Sequence, residues 1–407
     1  MRPCRVLVAL FVLAAAAADV SGQTAEDLFD AQVVHEVWLY MNSRDLQQLH
    51  EQYQDNTYYA ADLKWKDLRV QNIGVRSRGV ASRNGVKPGL RLDFNFYSTG
   101  QRFLGLSSLV LDNLWTDPSM IRERVAMAMF GRMGQPASRL SYVRLYINNG
   151  YEGLYAIVEP VDSSYVARTI GERGGYLFEY RWLRPYFGEY LGEDLASYKE
   201  LFEAEKHRLD PDTILYSPIH ELFREVNQPA GPLWRKSVDA YLDLEQLVTY
   251  VAIETFLSER DGFAGHAGMA NFFIYRPANS TRHRLLTWDR DSAFERFDFP
   301  IFERLDMYVL VRRALAFPDL RALYLDVLER CARSAAEEAW LQAEVDRAAA
   351  VITTVAHADE RKKFTNEEFD AAIEHLREFA RLRSPFVLQE VLRARRDSSS
   401  LSSLRAR

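Results

Sequence analysis

Two short β-like runs near the middle of the chain, Phe272-Phe273-Ile274-Tyr275 and Arg284-Leu285-Leu286-Thr287-Trp288, constrain the fold most tightly. Paired as an antiparallel hairpin, the start of the first lies beside the end of the second. That pairing sets Asn271, which opens the first run, next to Asp289, which closes the second. Asp291 follows just beyond, and Asp261 stands close by in the preceding turn. A base, an amide oxygen and a carboxylate at one sheet end can hold Mg²⁺ and orient a hydroxyl for phosphoryl transfer. The plainer alternatives are a solvated strand-end acid at Asp289 and an ordinary turn at Asp261-Gly262.

Upstream, period-2 alternation dominates. Strands are expected at 35–41, 70–78, 90–96, 142–147 and 151–159, the last two joined as a hairpin by Asn149-Gly150. A helix over 43–53 is capped by Ser43, and another runs from Asp117-Pro118-Ser119 to about Met133. The second buries Ile121, Val125, Ala128 and Met129 and leaves Glu123 on a different side. Arg76, Arg78, Arg83 and Lys87 surround a glycine-containing loop between two strands. This cluster reads either as a solvated basic loop or as a triphosphate clamp. The segment 183–236 reads as helices and loops. Asp243 caps the next helix with Gln246 as its capping-box partner, and the chain is helical from Tyr308 onward. Ser334/Glu337 and Thr365/Glu368 form two further capping boxes.

Composition narrows the functional classes. The chain has 407 residues, 48% hydrophobic and 27% charged, enough for a large core with room for two lobes. A net charge of −6 argues against a broad nucleic-acid footprint. Arg2 and Arg5 precede an apolar run over 6–18, read as a secretory signal over 1–22. A secreted, periplasmic or extracellular protein without a stable membrane span after cleavage is expected. Cys331 is then the one remaining cysteine, a buried structural thiol. The eight histidines show no zinc spacing, and there is no G-x-S-x-G elbow.

Four blocks, in order, carry a resemblance to a known family. They are Arg78-Gly79-Val80-Ala81-Ser82-Arg83 with Lys87-Pro88-Gly89-Leu90-Arg91-Leu92-Asp93-Phe94; Asp112-Asn113 with Asp117-Pro118-Ser119-Met120-Ile121-Arg122-Glu123; Tyr142-Val143-Arg144-Leu145-Tyr146-Ile147-Asn148 with Gly153-Leu154-Tyr155 and Glu159-Pro160-Val161-Asp162; and Asp261-Gly262 with Asn271-Phe272-Phe273-Ile274-Tyr275 and Trp288-Asp289-Arg290-Asp291. Over residues 35–300 the chain resembles the CotH family, spore coat protein H and its relatives, which are atypical secreted protein kinases. The resemblance implies an α+β, two-lobed, atypical protein-kinase-like fold with a helical C-terminal region. The corresponding boundaries are an N-terminal lobe over 30–162, a C-terminal lobe over 163–300, helices over 301–395 and a disordered tail over 396–407.

Residue roles are implied in the same way. Asp261 is the catalytic base. Asn271, Asp289 and Asp291 are metal ligands. Lys87, Arg78 and Arg83 contact the nucleotide phosphates, Glu123 is the ion-pair partner of Lys87, and Glu159 belongs to a hinge beside the adenine. ATP and Mg²⁺ or Mn²⁺ are the implied cofactors, and a partner protein's Ser/Thr hydroxyl is the implied acceptor. The chain departs from the family pattern at Lys87-Pro88, where a second lysine is usual, and at Val80-Ala81. The Asp261-to-Asn271 spacing is also longer than in HRDxxxxN kinases. A catalytically silent coat or envelope scaffold and a metal-dependent phosphoester hydrolase are the competing readings.

Overall fold

The structure, a computed structural model, describes residues 22–229, 231 and 233–405. All but the last residue of the expected secretory signal lie outside the described residues. Seven strands form a closed barrel: β1 (Val34–Met41), β2 (Tyr59–Trp65), β3 (Leu68–Arg78), β4 (Gly89–Asp93), β5 (Ser108–Asp112), β6 (Leu140–Ile147) and β7 (Gly150–Val158). They run in the order β1-β2-β3-β4-β5-β7-β6, and a parallel β6–β1 pairing closes the ring. Closure leaves no open sheet edge. β2 and β5 are additional to the strands expected from alternation.

Side chains alternate across each strand, so one strand can serve two cores. On β5, β6 and β7, Leu109, Leu111, Val143, Leu145, Tyr155 and Ile157 point into the barrel. Val110, Tyr142, Leu154, Ala156 and Val158 join a second, larger core built with the helices and the second sheet. Each buried Leu or Val of that wall contributes roughly 1.5–3 kcal/mol relative to exposure, so the barrel and the helical part are held face to face. The helix Arg122–Arg132 lies in this second core through Val125, Ala126, Met129 and Phe130. It starts later than expected. Asp117 instead caps a preceding turn, accepting from Ser119 N (2.9 Å) and Arg122 N (2.9 Å).

The β6–β7 turn also differs from expectation by one residue. Asn148 and Asn149, at φ 48° and 67°, are its two left-handed residues, rather than Asn149 and Gly150. Asn148 is drawn there by β1: its backbone N–H donates to Leu39 O (2.9 Å) and its side-chain oxygen accepts from Met41 N (2.9 Å).

The second sheet holds β8 (Tyr176–Tyr180), β9 (Phe202–Ala204), β10 (Phe272–Arg276) and β11 (Arg284–Thr287), in the order β11-β10-β8-β9. The expected hairpin is present as β10–β11, antiparallel, with Phe272 opposite Thr287 and Tyr275 opposite Arg284. The helix Leu244–Phe256 packs behind it, capped by Asp243 as expected. Gln246 does not complete a capping box. Its side chain instead accepts from Leu285 N (2.9 Å) and donates to Leu285 O (3.0 Å), clamping the helix to β11.

The C-terminal part is helical: Val309–Ala314, Pro318–Ala336, Trp340–His357 and Asn366–Arg405. Thr365 and Glu368 form the expected capping box. Ser334 and Glu337 do not. Ser334 sits inside a helix, and both residues take hydrogen bonds from Arg132. Cys331 is buried, and burial pushes its thiol up, as suits a structural cysteine. Arg383 is fully buried and donates to the carbonyls of Thr255, Phe256, Phe297 and Phe299, at 2.6–2.8 Å. Two of these, Thr255 and Phe256, are the last carbonyls of the helix Leu244–Phe256, where regular i to i+4 bonding ends. The last helix is thereby fastened to the second sheet's support. It also continues past Arg395, where the composition had suggested disorder, because extending an existing helix costs far less than nucleating one. Among the described residues, no helix is long and apolar enough to cross a membrane.

Asn148→Ala removes a left-handed-tolerant residue and the acceptor for Met41 N. A loss of about 1–3 kcal/mol in urea unfolding is expected. Unchanged stability would show that the turn does not depend on this side chain.

Candidate active site

Asn271 immediately precedes β10, and Asp289 stands two residues past the end of β11. Both are left-handed, at φ 51° and 52°. Asn and Asp tolerate this conformation better than other non-glycine residues. The Asn271 amide nitrogen donates to Asp261 O (2.9 Å) and to Asp261 Oδ2 (3.0 Å), leaving the amide oxygen without a hydrogen bond among the described residues. The sequence expectation that Asp261 lies beside Asn271 is therefore met through a direct contact.

A buried arginine organises this region. Arg290 Nη1 pairs with Glu254 (2.9 Å), Nε donates to Thr287 Oγ1 (2.7 Å), and Nη2 donates to Tyr250 Oη (2.5 Å) and to Asn271 O (2.8 Å). Glu254 also accepts from Phe263 N (2.9 Å) and Ala264 N (3.2 Å), and Glu259 from Asp261 N (2.8 Å). The irregular loop from Glu259 to Asn271 thus takes its shape from buried side chains.

On the barrel side, Asp112, Thr116, Glu123, Asp289 and Asp291 line a small cavity of about 10 Å³, room for one water-sized occupant. Asp291 accepts from the Thr116 hydroxyl. Burial pushes the Glu123 carboxyl well above its ordinary range, and the charges of Asp289 and Asp112 add to this. Burial, then Asp291 and Asp112, do the same to Asp289. Asp112 and Asp261 are raised too, chiefly by burial. The cations near this group include Arg124, which lines the cavity and pairs with Glu344 (3.6 Å), and Arg78, 3.3 Å from Asp112 and 5.6 Å from the Trp288 ring. More carboxylate than cation in one enclosed space must either take up protons or gain positive charge. The donors are hard oxygens, which suit Mg²⁺ or Mn²⁺. Among the described residues, no three His, Cys, Asp or Glu side chains could hold an ion by themselves. An ion here would need Asn271, water or phosphate oxygens as well.

The remaining sequence-based candidates are placed differently from expectation. Lys87 does not pair with Glu123. Its ammonium is fully buried and donates to Asp359 Oδ2 at 2.7 Å. Arg83 is occupied in tying its loop down, donating to Ser77 Oγ (3.0 Å) and Asp55 O (2.6 Å). Glu159 is buried between Arg139 and Arg168, so its carboxylate is taken up in ion pairs at the end of β7. Sequence reasoning gave no role to Asn113, whose amide donates to Ser82 O (2.9 Å) and Lys87 O (2.7 Å) and pins the loop over 79–88. It also gave none to Asp112, Arg290 or Asp359. Asp112-Asn113 lies in one of the four segments that carry the family resemblance, which is the signal for both. Arg290 between two aspartates looks like a surface charge until its burial is seen.

The architecture, a closed barrel and a second sheet with helices around an acidic cavity, is that of an α+β protein. The model of the family described as CotH kinase protein matches residues 75–387, and the chain belongs to that family. The match begins inside the stretch over 35–300 on which the resemblance rests, leaving out residues 35–74, and runs past it through the C-terminal helices into the last of them. The chain is also similar to the inner spore coat protein H of Bacillus subtilis (strain 168), with 21% identity over 366 residues, 86% of this chain and 95% of that protein.

Arg290→Met leaves Glu254 as an uncompensated buried charge, and a loss of about 3–5 kcal/mol in urea unfolding is expected. A loss below about 1 kcal/mol would place the pair among inconsequential surface bridges. The raised carboxylates also predict a pH dependence. Folded Glu123, Asp289, Asp112 and Asp261 hold protons more tightly than the unfolded chain. Their stabilising contribution is therefore fully present below about pH 4 and is lost as pH rises through their raised values. Chelator-treated protein should lose this contribution progressively as pH rises above the ordinary carboxylate range, with Mn²⁺ restoring the melting temperature more at the higher pH. A Mn²⁺ effect independent of pH would contradict it.

Proposed function

We propose that this chain is a phosphotransferase, moving the γ-phosphoryl group of ATP to a Ser or Thr hydroxyl of a partner protein with Mg²⁺ or Mn²⁺. The observation that carries this reading is the Asp261–Asn271 contact at the hairpin end that also bears Asp289. Asp261 is the base that accepts the hydroxyl proton, and its raised carboxyl range brings it nearer the working pH. Asn271 fixes the orientation of Asp261 through its amide nitrogen while offering its oxygen to the cation. Asp289, with Asp291 beside it, supplies the carboxylate ligands. A divalent ion held by Asn271, Asp289 and Asp291 would neutralise charge on the nucleotide phosphates. Arg78, paired with the cavity-lining Asp112, is the phosphate contact. A kinase-like relation between barrel and second sheet, with the cleft between them taking the nucleotide, fits this reading. An exported or coat location fits the basic-then-apolar N-terminus and the coat-protein name of the relative.

One observation favours the second reading, a silent scaffold: Lys87, expected at the phosphates, is sealed from solvent with its own counter-ion. The two readings separate on two variants. Asp289→Ala should abolish the thermal shift produced by ATP with Mn²⁺. Asp261→Ala should keep that shift and lose phosphotransfer by 10²-fold or more, on the order expected for a general base. Undiminished transfer by purified Asp289→Ala protein would overturn the assignment, and no shift in the unmodified chain at millimolar ATP would favour the scaffold. Phosphate release without an acceptor would point to a hydrolase.

A further inference from the structure

The strand β8 ends at Tyr180, whose ring stacks on Phe272, the first residue of β10, with 4.8 Å between centroids. The chain therefore leaves β8 at the end of the sheet where Asn271 meets Asp261. There it runs Arg181-Trp182-Leu183-Arg184-Pro185, a stretch exposed throughout. Trp182 is 48% and Leu183 46% exposed. Their backbone is nevertheless fixed. Trp182 Nε1 donates to Ala267 O (3.1 Å), and Met269 N donates to Tyr186 O (3.0 Å). Ala267 and Met269 belong to the loop over 259–271 that carries Asp261. The two loops touch so closely that a Cβ on Gly268, itself at φ 95°, would lie 2.6 Å from Tyr186 N. Pro185 disfavours a helical conformation at Arg184, which keeps the segment extended.

Charge accompanies the apolar pair. The segment over 181–185 carries two positive side chains and no negative one. Arg181 lies 3.6 Å from Glu203 and Arg184 lies 3.8 Å from Glu200, both too long for hydrogen bonds, and all four side chains are about half exposed. Bridges of this kind hold little energy and yield to a competing partner. Arg260, directly before Asp261, is exposed, and its side chain makes no hydrogen bond or ion pair among the described residues. Holding Trp182 and Leu183 in water on a fixed backbone gains nothing for folding. Tryptophan and arginine are also the residue types that most often carry binding energy at protein interfaces.

Resting on the phosphotransfer reading above, we infer that the segment over 181–185 is the docking surface for the acceptor polypeptide, which bears an apolar side chain and carboxylates beside its Ser or Thr. The apolar side chain covers Trp182 and Leu183. The carboxylates pair with Arg181, Arg184 and Arg260 through charge-assisted hydrogen bonds, the means by which arginine clusters recognise acidic segments. Because the surface is bonded to the loop that carries Asp261, a chain lying on it brings its hydroxyl to the base. A basic polypeptide would leave the three arginines facing charge of their own sign.

The test is fluorescence-anisotropy titration of the full chain with two labelled Ser peptides, one carrying Leu and Glu beside the Ser and the other Leu and Lys. The acidic peptide should bind more tightly. The double variant Arg181→Glu/Arg184→Glu should weaken its binding roughly ten-fold or more and reverse the preference, the scale of a lost interface hot spot. Its melting temperature and the thermal shift given by ATP with Mn²⁺ should not change. Leu183→Ser should weaken both peptides, and it decides the matter should the double variant fail to fold. Equal binding of the two peptides by the unmodified chain, or unchanged affinity in a folded variant, would overturn the inference. Peptide binding without phosphate transfer from ATP would instead overturn the phosphotransfer reading and leave the docking surface standing.

Discussion

The guanidinium of Arg290, without exposure to solvent, is the interaction on which the geometry of the cleft depends. Removing an arginine from water is costly unless its hydrogen bonds are replaced, and here the replacements come from three separate parts of the chain. Glu254 and Tyr250 come from the helix behind the sheet, Thr287 from the end of β11, and the carbonyl of Asn271 from the start of β10. One side chain thus fixes the end of the hairpin against its supporting helix. The loop over 259–271 has no regular structure, yet it is determined. Gly262 passes so close to the ion pair that a Cβ would lie 2.5 Å from Glu254 Oε1 and 2.7 Å from Arg290 Nη1. Asp261 inherits its position from this packing through Glu259 and Asn271.

The opposite wall of the cleft is set by the barrel. Asp112 ends β5, a strand whose two faces belong to two different cores. The turn after it carries Thr116 and Asp117, and the helix that Asp117 helps to start carries Glu123. Because the β5–β7 wall is shared, Asp112 and Glu123 are held rigidly toward Asp289 and Asp291. Preorganised charges of this kind act on a ligand without the reorganisation that flexible side chains would require.

Much of this was legible wherever the signal was local. The hairpin, the caps at Asp243 and Thr365, the buried Cys331 and the closeness of Asp261 to Asn271 each follow from residues within about a dozen positions of one another. Failures cluster where a side chain answers to a distant partner. Gln246 fits a capping box by spacing, but β11 claims its amide. Ser334 and Glu337 fit another, but Arg132 claims both. Asn148 rather than Gly150 takes the turn because β1 offers it two hydrogen bonds. Lys87 was assigned to Glu123 by its place in the family pattern, and only the folded chain brings Asp359 to it across 272 residues. Spacing reports what a residue can do with its neighbours; it carries no information on a competing partner brought near by the fold.

That change of partner alters the charge of the cleft. Were Lys87 paired with Glu123, the two would cancel beside the cavity. With Lys87 neutralised by Asp359, the four carboxylates Asp112, Glu123, Asp289 and Asp291 outnumber the nearby cations Arg78 and Arg124. A triphosphate carries charge of the same sign as this wall, and bringing the two together in a poorly solvated space is unfavourable. A divalent cation between them reverses the sign of the interaction. On the phosphotransfer reading, ion and nucleotide must therefore each raise the other's affinity by the same factor, since such coupling is reciprocal. On that reading, the acidic cavity would make nucleotide binding depend on the cation.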